Sequence, residues 1–234
     1  MKRFYKTVTV ARQPDGQHAV MLDQKPLRTP AKTELRVPCA ALAQGIAAEW
    51  EAQTGDIRPL QMPLTRLVAT ALDRTAKDRD AVTAEVVRYG ETDLLAYRAD
   101  QPRELADRQA ATWQPLLDWF RDRYDVQIQV TQGILAVPQP PELKARLEQI
   151  CAGLDPFELT ILHALTSAAG SVVIGLAVLT GRIDADSAHS ASLLDEHFQA
   201  EQWGDDAEAA ERRAALLADL TSAAHCLTLL KEEA

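Results

Sequence analysis

The segment Ile161–Thr180, ILHALTSAAGSVVIGLAVLT, restricts the possible folds of this chain more than any other stretch. It runs without an Asp, Glu, Lys or Arg, and it is long enough either to cross a bilayer or to form a helix buried on every side. His163, Thr166, Ser167 and Ser171 interrupt it, two glycines lie within it, and no Trp or Tyr belt flanks it. A membrane span would carry those groups into hydrocarbon, whereas a protein interior can give each a hydrogen-bond partner. The expectation is therefore a central buried helix running from Pro156 to near Gly181, with no membrane span.

A fully buried helix needs amphipathic neighbours to cover it, and the flanking sequence supplies them. Apolar residues recur at helical spacing in Ala40–Gln53, Met62–Leu72, Ala76–Tyr89, Pro102–Tyr124 and Pro141–Cys151. Asp184 is placed to cap a helix ending at Gly204, and Asp205 or Asp206 a last one running through Leu217, Leu220 and Leu227. The first forty residues alternate instead. Val8 and Val10 interleave with Thr7 and Thr9, Pro14-Asp15-Gly16 marks a turn, and His18–Leu22 suits a hairpin partner. Leu27 and Leu35–Val37 suit further short strands, held to edges or ends by Pro26, Pro30 and Pro38. The predicted class is α+β. A small α+β domain with antiparallel strands occupies residues 1–80, and a larger, mainly helical domain occupies 81–234. Strands within 126–137 are expected to return to the first sheet.

Charge divides the chain in the same sense. Residues 1–38 carry eight Lys or Arg against three Asp or Glu, and residues 155–234 carry four against fourteen. With a net charge of -9, the chain is a poor general binder of nucleic acid, which needs a positive surface. Cys39, Cys151 and Cys226 form no CxxC pair and suit free thiols in a reducing compartment. The start, MKRFYKTVTV, has neither signal nor transit character, so a cytoplasmic location is expected.

Chemistry-bearing motifs are scarce. There is no HExxH, GxGxxG, GxxxxGK or GxSxG, and the histidines lack metal-ligand spacing. No catalytic residue, metal or cofactor is expected. What remains is the junction Leu194–Glu208, LDEHFQAEQWGDDAE. Ala191, Leu194 and Phe198 make a core stripe, while Glu196, Gln199 and Trp203 share another side of the same helix. Asp205, Asp206 and Glu208 follow at the start of the next. Capping a helix N-terminus and forming an acidic, aromatic-edged contact surface both fit these residues. Ser171 reads as a small residue that lets helices approach closely, and Trp50 as part of an apolar stripe.

Several blocks, in order along nearly the whole chain, resemble the family of F1-ATPase assembly chaperones that bind the alpha subunit of ATP synthase. They are Arg3-Phe4-Tyr5-Lys6, Leu22-Asp23-x-Lys25-Pro26-Leu27-Arg28-Thr29-Pro30-Ala31-Lys32, Ala48-Glu49-Trp50-x-x-Gln53, Ile57-x-Pro59 with Met62-Pro63-Leu64-Thr65, and Tyr89-x-Glu91-Thr92-Asp93-Leu94-Leu95-x-Tyr97-Arg98. Gly170-Ser171, Glu196-x-x-Phe198-Gln199, Trp203-Gly204 and Asp206-x-Glu208 complete them. Gln24 and Ala96 depart from the commoner family residues. The resemblance implies a non-catalytic chaperone that binds the unassembled alpha subunit, prevents its aggregation and hands it over as the F1 ring forms. It implies partner contact through Glu196, Gln199, Trp203, Asp206 and Glu208, by a chain expected to be a monomer. The readings it competes with are a hydrolase or lyase using clustered carboxylates and an acidic scaffold for some other protein.

Overall fold

A computed structural model describes residues 2–133, 135 and 137–232. Two compact units emerge. The first comprises residues up to Arg79 together with Pro156–Ile161 and the end of the chain from His225; the second comprises Asp80–Asp155 and Leu162–Ala224.

The first unit is built on a small antiparallel sheet. Strand β1 (Val8–Arg12) pairs with β2 (His18–Leu22), with Val10 opposite Val20. On its other side β2 pairs with both β3 (Lys25–Pro26) and β4 (Arg36–Val37). Pro26 sits on an outer strand, where its missing N–H costs no ladder bond. The strand begins at Val8, one residue after Thr7, because the backbone N–H groups of Lys6 and Thr7 donate to the Asp23 carboxylate at 2.9 and 3.0 Å. The sheet packs on α1 (Ala40–Glu51): Val20, Leu22 and Val37 are buried on one of its faces, and Leu42, Ala43, Ile46 and Trp50 are buried on the helix.

After the 3₁₀ turn Pro59–Gln61 comes α2 (Pro63–Thr70), which continues as a π turn over Ala71–Thr75. Its N-terminus has no cap of its own. Glu49 on α1 serves instead, accepting from Leu64 N, Thr65 N and Thr65 Oγ1 at 2.7–2.8 Å. The adjacent Trp50 indole donates to Thr65 Oγ1, and Gln53 Oε1 accepts from Arg58 N. The Ala48–Gln53 block is thus the clamp that fixes the start of α2. Gly45, one turn before Glu49, keeps α1 open to close approach: a Cβ there would lie 2.8 Å from Leu229 Cδ1 and 2.9 Å from Leu64 Cδ1. The Cys39 thiol donates to Leu229 O, and burial pushes the Cys226 thiol up to about 12. All three cysteines are free.

The second unit is helical. It contains α3 (Arg79–Glu91), the 3₁₀ turn Leu94–Ala96, β5 (Tyr97–Arg98), α4 (Arg103–Tyr124), β6 (Thr131–Gln132) and α5 (Pro141–Ala152). Then follow α6 (Pro156–Ala169), α7 (Val172–Leu179), α8 (Ala185–Ser192), α9 (Leu194–Trp203) and α10 (Ala207–Lys231), α6 and α10 contributing residues to both units. Strand β6 pairs in parallel with β5, not with the N-terminal sheet, so the expected return of 126–137 to that sheet is corrected. Of that stretch, Ile134 and Ala136 lie outside the described residues.

The apolar run is corrected too: it forms two helices, not one. Gly170 adopts φ +66°, and Ser171 caps α7 by accepting from Ile174 N at 3.1 Å. Every residue of α7 is buried, against α4 and α8 among others. Gly175 permits the α6–α7 crossing, since a Cβ there would meet Thr166 Oγ1 at 2.5 Å and its backbone N at 3.1 Å. Among the described residues no helix is long and apolar enough to cross a membrane.

Candidate functional site

The helix expected from Asp184 to Gly204 is broken at Leu193, whose ψ of 19° separates α8 from α9, so the junction that stood out in the sequence begins with a helix of its own. Ala191, expected on the same helix as Phe198, therefore belongs to α8, though it is still buried and its carbonyl accepts the Trp113 indole at 2.8 Å. Leu194 and Phe198 anchor α9 in the core, with Phe198 under the Arg108 guanidinium. Arg108 also pairs with Glu201 at 2.6 Å and Glu104 at 2.8 Å, tying α9 to α4. Asp195 Oδ1 accepts from Gln109 Nε2 at 2.7 Å, which fixes the first turn of α9.

That anchoring turns the other face of α9 outward. Glu196, Gln199 and Trp203 are all exposed, Trp203 to 80%. Glu196 stands where two grooves meet. One, of about 620 Å³, is lined by Leu94, Tyr97, Gly170, Leu193 and Leu216; the other, of about 370 Å³, by Gln199, Trp203, Gly204, Asp205 and Asp206. Arg212 and Arg213 of α10 line both.

The acids of this junction do different work. Asp205 forms an ion pair with Arg213. Asp206 Oδ1 accepts from Ala209 N at 3.0 Å and caps α10. Glu208 is exposed on the first turn of α10 and lines neither groove. The acidic patch is thus a mixed-charge surface with two arginines that sequence reasoning did not include. Their only signal was a basic pair inside a long acidic stretch, sixteen and seventeen residues from Glu196 and on another helix.

Beneath the first groove lies a buried carboxylate. Asp93 accepts from Leu95 N at 2.9 Å through Oδ1, and from Ser171 Oγ at 3.0 Å and Val173 N at 3.2 Å through Oδ2. It sits at the N-terminus of α7, where the helix dipole favours an anion, yet complete burial pushes its carboxyl up to about 6. Ser171, read from the sequence as a packing residue, is both the cap of α7 and the donor that orients Asp93. On the far side of α9, His197 stacks near His189 with ring centroids 5.7 Å apart, and His189 Nε2 lies 3.0 Å from Arg213 O. Burial, with the neighbouring His189 and Arg213 charges, holds the His197 imidazole below its usual value.

None of this converges on a reacting centre. Asp195, Glu196 and His197 serve three different surroundings, and Glu196, Asp205 and Asp206 share no common atom. Among the described residues no group of His, Cys, Asp and Glu is arranged to hold a metal ion. A surface of exposed tryptophan, mixed charge and shallow grooves is suited to contact with another protein.

Comparison with known proteins agrees. The family model described as ATP12 chaperone protein matches residues 2–121, just over half of the chain. The chain belongs to the ATP12 chaperone family. This is the F1-ATPase assembly chaperone family that its sequence blocks resemble, and it is a family of chaperones rather than of enzymes. Among relatives, the chain is 26% identical over 215 residues to the protein named "Protein atp12, mitochondrial" of Schizosaccharomyces pombe, covering 87% of this chain and 74% of that one. It is similar to the crystal structure of Atp12 from Paracoccus denitrificans, with a TM-score of 0.92 and 45% identity over 98% of each chain. An Agrobacterium tumefaciens protein described as a candidate chaperone matches with a TM-score of 0.93 and 41% identity, over 98% of this chain and 86% of that one. The mixed α+β fold of this chain is therefore the ATP12 fold.

Proposed function

We propose that this chain is the chaperone of the F1-ATPase alpha subunit, binding it before assembly, preventing its aggregation and releasing it to the forming ring. Membership of the ATP12 family supports a role in building the ATP synthase. The observation that carries the reading of the site is the outward face of α9, where Trp203 is 80% exposed beside Glu196 at the meeting of two grooves. A ring subunit without its neighbours exposes an apolar interface that self-associates in water. A chaperone must cover such a surface and still yield to the true partner. A contact with an aromatic anchor and a charged, salt-sensitive rim meets both needs better than a wholly apolar one.

Within this reading Trp203 inserts between apolar groups of the client, Glu196 and Gln199 supply directional hydrogen bonds, and Asp206 and Glu208 form the charged rim. Arg212 and Arg213 join them and give the rim both signs. No nucleotide motif is present in the sequence, so release follows from competition by the ring partner rather than from ATP hydrolysis by this chain.

Co-expression with the free alpha subunit tests the reading. The chain is expected to co-purify with it, and Glu196→Lys to weaken that capture about tenfold or more, as charge reversal in an interface does. Because Glu196 is exposed and outside the core, the variant's unfolding midpoint should stay within about 2 °C of wild type. A wild-type chain that leaves the alpha subunit uncaptured and aggregating would refute the proposal.

A further inference from the structure

The N-terminal blocks of the sequence find no role at the α9 surface, and they build a second recess. It is a groove of about 840 Å³ in the first unit, on the β2–β3 side of the sheet. Its aromatic wall is a ladder. Phe4 meets Tyr5 edge-on at 5.4 Å between ring centroids, and Tyr5 meets Trp50 at 5.6 Å. Tyr5 and Trp50 are buried, and the Tyr5 hydroxyl donates to Trp50 O at 2.7 Å. Leu22 and Leu27 are likewise buried and line the groove. Phe4 stands at the mouth and is 65% exposed, an apolar ring held in water beside an apolar recess.

The rim is positive. Lys25 and Arg28 are exposed and line the groove, and neither forms an ion pair among the described residues. Of the nearby acids, Asp15 and Glu34 both pair with Arg36. Asp23 also lines the groove; it accepts from Lys6 N, Thr7 N and Thr7 Oγ1, and these hydrogen bonds hold its carboxyl below the usual range, so it stays ionised and the rim sets two cations against one anion. The volume suits a few side chains of an extended segment, not a folded surface. Two cations beside an apolar recess are too few to track a phosphate backbone, and a chain of net charge -9 repels one.

From this we infer that the groove is a peptide-docking site for an acidic protein segment, which places an aromatic or large aliphatic side chain against Phe4 and its carboxylates against Lys25 and Arg28. The inference is independent of the client read for the α9 surface. It predicts a second point of attachment, with a preference for acidic segments.

A fluorescein-labelled twelve-residue peptide carrying a central Leu-Phe pair among Asp and Glu, titrated with the full chain and followed by polarisation, tests it. Saturable binding is expected, weakened about tenfold by Lys25→Glu with Arg28→Glu, as charge reversal at a rim does, and weakened similarly by Phe4→Ala. Phe4→Leu should restore most of the affinity, and Glu196→Lys should bind the peptide as wild type does, which separates this site from the α9 surface. These positions are exposed, and a thermal melt confirms that each variant folds. The inference is overturned if the peptide does not saturate. It is equally overturned if a Lys/Arg version binds as well, or if the double variant leaves binding unchanged. Displacement of the peptide by heparin or oligo-dT at the same site would assign the groove to polyanions instead. Dimerisation on sizing, abolished by the double variant, would assign it to a second copy of this chain.

Discussion

At the scale of single residues, Asp93 is a buried polar node of the second unit. Its carboxylate answers donors from three places, Leu95 N, Ser171 Oγ and Val173 N, so one side chain joins the turn after α3 to the cap of α7. Removing it orphans buried donors. Asp93→Ala should therefore cost about 2–4 kcal/mol, read from chemical denaturation. The pH dependence has a definite sign. The folded carboxyl titrates at about 6, above the ordinary value of 3.8, so the folded state holds its proton more tightly than the unfolded chain. The stability this contributes is full below the unfolded value and is lost as pH rises through about 6. Asp93→Asn cannot titrate. Relative to wild type it should gain about 1–2 kcal/mol between about pH 5 and pH 7.5, measured as the difference between the two unfolding free energies. A constant difference would mean that Asp93 is ionised throughout. The sequence could place Asp93 in a block, but not bury it: its partners lie 78 and 80 residues away, at a helix break that periodicity did not reveal.

Between elements, the decisive contacts are those where one helix completes another. Helix α2 opens with Pro63 and no cap, and Glu49 on α1 accepts the N–H groups that would otherwise be orphaned. Burial raises the Glu49 carboxyl while those same hydrogen bonds lower it, so the clamp depends on all three donors staying in place. Glu49→Ala should cost about 1–3 kcal/mol, read from the unfolding midpoint. Gly175 governs the α6–α7 crossing. Gly175→Ala raises helix propensity but brings a methyl to 2.5 Å from Thr166 Oγ1 and tight against the Thr166 backbone, so it should destabilise by about 1–3 kcal/mol despite that propensity. A stabilised Gly175→Ala variant would show that the crossing relaxes freely. Periodicity read the amphipathic helices well, from α1 to α5, because each buries one face and the alternation of core and solvent is written in its residues. It failed where burial is uniform. Nothing in an all-apolar run distinguishes one helix from two, so Gly170-Ser171 passed as an interior pair. The short pair Thr131–Gln132 failed for a different reason. Two residues carry no period, so nothing in their own pattern names Tyr97–Arg98 as the partner.

Taken as a whole, the chain is a chaperone by family, with two recesses of different character. One is an aromatic groove with a positive rim in the first unit; the other is a tryptophan-edged, mixed-charge surface on α9 and α10 in the second. The charge asymmetry between residues 1–38 and 155–234 foreshadowed this, and helical spacing correctly set Glu196, Gln199 and Trp203 apart from the core stripe. It could not include Arg212 and Arg213, which reach the same grooves from α10 and turn an acidic patch into a surface of both signs. The sequence offered Asp205 or Asp206 as the cap of the last helix, and Asp206 takes that role, accepting from Ala209 N through Oδ1. Asp206→Asn keeps that acceptor and removes the charge, so it should weaken client capture modestly with little loss of stability, whereas Asp206→Ala should lose about 1 kcal/mol of stability as well.

The central claim is that this chain shields the free alpha subunit until the beta subunit replaces it. Light scattering of purified alpha subunit at a temperature where it aggregates, with this chain added in increasing ratio, measures the claim directly. Suppression should saturate near equimolar ratio, and added beta subunit should draw the alpha subunit from the chaperone into an alpha–beta complex on sizing. Scattering that rises as fast with the chain as without it, or a chaperone complex that beta subunit does not displace, would contradict the account.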